Sequence, residues 1–218
     1  MAQESSYQKE NIKRLSEFSK LAPDAFKSFA ALDGAAVAEG VIPRRTKELI
    51  AIAVAHVTGC PYCIDIHVNA AKELDVSKEE IAEAILVATS LKAGSAMAHG
   101  VNALQAYDGN NDGDLYEASN IDRLGEFAKL APDAFRAFAQ LDKEAVKPGE
   151  VSGKDKELIA IAVAHVTGCP YCIEIHTANA KKLDVTKEEM AEAILVATSL
   201  KAGSAMAHGV NALNAYDA

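Results

Sequence analysis

Apolar residues recur along the chain at helical spacing. Ile12, Leu15, Phe18 and Leu21 step by three, and the Pro23 that follows suits the first turn of a second helix. A third helix is expected from about Arg44 to Val57, where Leu49, Ile50, Ile52, Ala53, Val54 and Val57 leave almost no polar face, so it should be buried on most sides. Gly59 and Cys60-Pro61 end that helix and start a fourth, running to about Leu74. Ser77-Lys-Glu-Glu80 reads as a capping box with Val76 and Ile81 as its hydrophobic staple. It opens a helix through Leu91, and Gly94 is expected to kink or break the chain before a last stretch to Tyr107. No segment alternates as a half-buried strand would, so the fold class is all-α.

The same pattern then occurs again. Adding 109 to Cys60, Cys63 and His67 gives Cys169, Cys172 and His176, and 218 residues are twice 109. The halves align without a gap from Tyr7/Tyr116 to Asp108/Asp217, with 54 identities in the 62 positions from Lys47 to Asp108. Agreement this close extends to residues expected at the surface, so a recent duplication explains it without any appeal to function. What it predicts is architecture: two tandem copies of a five- to six-helix unit related by a pseudo-twofold, over residues 1–108 and 117–218 with a linker at 109–116. Each half is long enough to own a core and a copy of any site. Ala38 to Thr46 keeps only Gly40 in its counterpart and is expected to be a surface loop.

Half of the residues are apolar and 24% charged, an ordinary globular balance. A net charge of −9 with no basic block beyond Arg44-Arg45 argues against nucleic acid or an anionic membrane as partner. The polar first twenty residues do not read as a targeting segment, and the uncharged run from Leu49 to Ile64 is too short and too broken for a membrane span. A cytoplasmic protein is expected. Asp108, Asn110, Asp112 and Gly113 start like a calcium loop, but Ser119 stands where a bidentate Glu is needed, so a linker is the better reading.

The four cysteines form two Cys-x-x-Cys pairs, which in a reducing compartment means redox chemistry or metal binding. On a helix, positions i, i+3 and i+7 share one face, so Cys60, Cys63 and His67 point the same way. Pro61 suits the first helical position, leaving Cys60 near the N-cap, where unpaired N–H groups favour a thiolate. That effect alone gains only about three-fold in attack rate, since a stabilised thiolate is also a weaker nucleophile. A better leaving group, a resolving thiol already in place and a nearby base matter more, and His67, one turn after Cys63, can take or return its proton. Glu48 and Glu157, twelve residues before each first cysteine, are either the carboxylate of that base or surface residues near a helix end. Tyr62 either donates to a thiolate or covers the site. His56, His99 and His208 read as interior or packing residues. Zinc remains the other chemistry open to Cys60, Cys63 and His67, with a fourth ligand from elsewhere.

The combination Glu-x11-Cys-x2-Cys-x3-His, followed by an Ala-rich helix with Leu91-Lys92-Ala93-Gly94, resembles the alkylhydroperoxidase AhpD-like family of the carboxymuconolactone decarboxylase-like superfamily, once in each half. The resemblance implies an all-α fold and thiol-dependent reduction of a hydroperoxide or a protein disulfide, with no cofactor and no metal. It implies a redox pair Cys60 and Cys63 with a proton relay Glu48 and His67, and the same roles for Cys169, Cys172, Glu157 and His176. It also implies a thiol donor protein and a homo-oligomer, three tandem chains making six units. The family pattern has a second histidine just before the second cysteine, where this chain has Tyr62 and Tyr171. The alternative it leaves is another activity of the superfamily, with the thiols secondary.

Overall fold

The computed structural model describes residues 7–109 and 114–217. Every regular element among them is a helix. A 3-10 helix over Lys9–Glu17 runs into α1 (Phe18–Leu21), followed by α2 (Pro23–Val37), α3 (Arg44–Thr58), α4 (Pro61–Glu73) and α5 (Lys78–Tyr107). The second repeat follows suit with a 3-10 helix over Ala118–Arg123, then α6 (Leu124–Leu130), α7 (Pro132–Val146), α8 (Gly153–Thr167), α9 (Pro170–Lys182) and α10 (Lys187–Tyr216). The step of three at Ile12, Leu15 and Phe18 is therefore largely a 3-10 repeat, in which residues i and i+3 eclipse. Local signals elsewhere act as read: Pro23 and Pro132 start helices, and both capping boxes form, on Ser77 and on Thr186. Gly59 and Gly168 end α3 and α8 in the left-handed conformation at φ 69°.

Two expectations are corrected. Gly94 does not break its helix; α5 runs 30 residues without interruption. A Cβ on Gly94 would make only an ordinary contact, 3.8 Å from Phe138 Cζ, but one on Gly100 would stand 2.8 Å from Phe127 Cζ, so Gly100 makes room for that ring. Tertiary packing thus outweighs the cost of about 1 kcal/mol that glycine imposes within a helix. Nor is the segment after α2 a plain surface loop. Ile42 is 1% exposed, and the N–H groups of Val41 and Ile42 donate to the Glu192 carboxylate of α10 at 3.0 and 2.9 Å. Lys47, buried, joins the same carboxylate at 3.0 Å and the Ala38 carbonyl at 2.7 Å. Glu83 of α5 holds Glu150, Val151 and Lys156 in the same way.

These contacts show how the halves are joined. Helices α3, α5, α8 and α10 pack together at the centre, while α2 lies on α10 and α7 lies on α5. Asp33 accepts a hydrogen bond from Ser199, and Asp142 one from Ser90, at 2.6 and 2.7 Å. One buried apolar cluster runs through both repeats, so the halves share a core and exchange their N-terminal helices. Helix α5 is long and apolar enough to cross a membrane by length and composition, yet its Ala84, Val87, Leu91, Ala98 and Val101 belong to this core. Of the calcium-like positions, Asn110, Asp112 and Gly113 lie outside the described residues.

Candidate dithiol site

The turn at Gly59 delivers Cys60 to the N-cap of α4, with Pro61 in the first turn. The Cys63 N–H donates to Cys60 Sγ at 3.2 Å, so one of the helix's unpaired N–H groups meets sulfur. The two sulfurs are joined as a disulfide with Cα atoms 5.3 Å apart, and Cys169–Cys172 repeats the arrangement. A single helical turn therefore holds both cysteines at bonding distance without rearranging the backbone. Both pairs are buried, Cys60 fully and Cys63 to 5% exposure.

Helix α3, apolar nearly all round, carries Glu48 into this buried layer. It is 2% exposed, which removes the reading of Glu48 as a surface residue. Its Oε2 accepts a hydrogen bond from His67 Nδ1 at 2.8 Å, and Glu157 accepts one from His176 at the same distance. A carboxylate can only accept, so Nδ1 carries the proton and Nε2 is the nitrogen left to take one. Burial discourages a lone carboxylate; the imidazole offsets that penalty and is oriented by it. One difference between the copies touches the carboxylate: Arg44 Nε lies 3.9 Å from Glu48 Oε1, where the second repeat has Gly153.

The sequence-derived residues thus fall into two sets. Cys60 and Cys63 are joined at the head of α4, and Glu48 meets His67 one turn further along that helix; Cys169–Cys172 and Glu157 with His176 repeat this on α9. His56 does not join them; its Nδ1–H donates to the Ile52 carbonyl at 2.8 Å, and it lines an open groove of about 390 Å³ with Ile85, Thr89 and Lys92. Among the described residues, no three His, Cys, Asp or Glu side chains gather as a metal site. What the sequence reading missed is the cover of the dithiol. Tyr7 packs on Tyr62 and on His208, and Tyr116 packs on Tyr171 and on His99, so each site borrows a histidine from the other repeat. The one available signal was that Tyr7 and Tyr116 begin the gapless alignment of the halves.

A family model described as the carboxymuconolactone decarboxylase family matches residues 23–106 and again 132–215. An uncharacterized protein in the cox locus of Paracoccus denitrificans is 45% identical over 94 residues, 43% of this chain and 85% of that protein. An uncharacterized protein of Haemophilus influenzae is 42% identical over 93 residues, 43% of this chain and 82% of its own. Each of these relatives is thus about one repeat long. The solved structure of a candidate γ-carboxymuconolactone decarboxylase subunit from Burkholderia xenovorans LB400 shares the fold, with a TM-score of 0.68 over 95% of both chains and 20% identity.

Proposed function

As the chain belongs to the carboxymuconolactone decarboxylase family, matched once in each repeat, we propose that its two dithiols make it a thiol–disulfide oxidoreductase with alkylhydroperoxidase-type activity. One observation carries this reading: a disulfide at the head of α4, with a buried carboxylate–imidazole pair bonded at 2.8 Å one turn further on, built twice. With Nδ1–H held by Glu48, His67 accepts the thiol proton at Nε2. The thiolate sulfur attacks one peroxide oxygen; the S–O bond forms as the O–O bond breaks, and the departing oxygen takes a proton and leaves as the alcohol. The second thiol then displaces the sulfenic hydroxyl as water and closes the disulfide. Two electrons pass from the dithiol to the peroxide.

The Cys63 N–H and the N-terminus of α4 stabilise negative charge on Cys60. Cys60 is therefore the better leaving thiolate when a thiol donor reopens the disulfide by attack on Cys63. This cycle belongs in a reducing compartment such as the cytoplasm. Labelling free thiols before and after mild peroxide, read by mass spectrometry, tests it. Loss of two labels per motif is the expected result. Retained labels, or zinc near one per motif protecting the thiols, overturns the reading.

A further inference from the structure

Two observations beside each dithiol are left over by that reading. Tyr62 sits between the cysteines in the first turn of α4, 5% exposed, and its hydroxyl is buried without a hydrogen-bond partner; Tyr171 repeats this. A buried hydroxyl left unpaired costs about 1–3 kcal/mol, a cost that a bound ligand removes. Secondly, the ring on Tyr62 ties it to the opposite repeat. The Tyr7 ring lies 5.9 Å from that of Tyr62, and also 5.9 Å from the imidazole of His208 on α10, edge-on at 89°. Its hydroxyl is 3.5 Å from His208 Nδ1, the outer limit of a hydrogen bond. Tyr116 bridges Tyr171 and His99 of α5 with nearly the same distances and angles.

We propose that the Tyr62 and Tyr171 hydroxyls each donate a hydrogen bond to the departing, alkyl-bearing oxygen of a hydroperoxide, and that the opposite repeat holds each in place, His208 through Tyr7 and His99 through Tyr116. This rests on the peroxidase reading and names its substrate-facing group. As sulfur takes the terminal hydroxyl and the O–O bond breaks, the electron pair leaves on the alkyl-bearing oxygen. A phenolic O–H bonded to that oxygen stabilises the charge until the proton taken from the thiol completes the alcohol. The substrate class is inferred from a cavity of about 160 Å³ that adjoins Tyr62, next in sequence to Cys63, and is lined also by Tyr7, Ile12, Pro61 and Ile66. The Lys9 and Asp65 at its wall pair with each other at 2.8 Å, so a small apolar hydroperoxide fits better than a charged one.

The experiment uses the reduced full-length protein, oxidised either by cumene hydroperoxide or by hydroxyethyl disulfide, which has no peroxide oxygen. Mass spectrometry of the two motif peptides follows each pair separately. Tyr62→Phe should slow peroxide oxidation of Cys60 and Cys63 about 100-fold, leave Cys169 and Cys172 unchanged, and hardly alter oxidation by the disulfide. His208→Leu should slow the same pair, His208→Gln, which keeps an acceptor, should restore part of the rate, and Tyr7→Phe with His208→Leu should be no worse than the larger single effect. His99→Leu should slow Cys169 and Cys172 instead. Equal loss with both oxidants, equal loss at both pairs, or an effect of His208 on Cys169 and Cys172 overturns the inference alone. A wild-type protein that reacts with the disulfide but not with the peroxide overturns the peroxidase reading itself.

Discussion

Nδ1 of His67 stands 2.8 Å from Oε2 of Glu48, and this bond joins α3 to α4 across 19 residues of chain. It fixes the tautomer of the imidazole and the face it presents, and both depend on a carboxylate that is almost wholly buried. The proposed relay would thus be a property of how two helices pack, and its failure could be provoked without touching a cysteine.

Glu48→Gln keeps the shape of the side chain and removes its charge. Oxidation of Cys60 and Cys63 by peroxide should slow about 10- to 100-fold, the usual scale of a lost acid–base contribution, with Cys169 and Cys172 unaffected. Rapid-quench thiol labelling of the two peptides checks this; unchanged rates at Cys60 and Cys63 would remove Glu48 from the relay.

Each repeat carries its own Glu, Cys pair and His. The double variant Cys60→Ser with Cys63→Ser should therefore lose about half of the steady-state turnover, since the second site keeps all of its own machinery. Complete loss would mean that the two disulfides work in series.

Burial alone would raise the Glu192 carboxyl, but the Ile42 N–H, the Lys47 ammonium and the Val41 N–H outweigh it and hold the group below its ordinary value of 4.5. Glu83 is lowered by the same balance with Val151, Lys156 and Glu150. A depressed carboxyl contributes stability above its unfolded value and loses it as pH falls through the folded one. Wild-type protein should thus lose stability below about pH 4.5, and Glu192→Gln should flatten that acid limb. The variant should also cost about 2–4 kcal/mol at pH 7, because it leaves buried Lys47 without its counter-charge. Urea unfolding at several pH values checks both; an unchanged acid limb would sink the assignment.

Two glycine substitutions should move stability in opposite directions. Gly100→Ala sets a Cβ 2.8 Å from Phe127 Cζ and should cost about 1–3 kcal/mol. Gly34→Ala, within α2 and with nothing within 4 Å of the new carbon, should gain about 0.5–1 kcal/mol. Paired thermal melts test this, and matching shifts would contradict the packing role given to Gly100.

Ile66 and Leu86, with their copies Ile175 and Leu195, are 44–49% exposed, apolar surface that association of chains would cover. Three chains, six units, should associate in solution. Native mass spectrometry near three chains agrees with this, and a clean monomer refutes it.

Much of this molecule was legible in the linear sequence. The capping box at Ser77, the proline at position 23 and the left-handed Gly59 act within one turn of helix, so a short window holds everything that decides them. The Cys60, Cys63 and His67 spacing is likewise a local property of one helix. Gly94 misled because a glycine within a helix costs only about 1 kcal/mol, which the buried residues of α5 on either side of it outweigh. Ile42 misled because the carboxylate that accepts its N–H lies 150 residues further on.

Sequence alone determined most of the helices, the caps that start them, the doubling and the spacing of the candidate groups, since each is set by neighbours along the chain. Only the tertiary structure decided which copy serves which. A duplicated chain offers every contact two chemically equal partners, and nothing local tells Tyr7 whether to meet His99 or His208. The closure of the chain chooses: α2 packs on α10 and α7 on α5, which carries Tyr7 to His208 across 201 residues and Tyr116 to His99 across 17. The dithiols belong to the repeats, but their aromatic cover belongs to the pair.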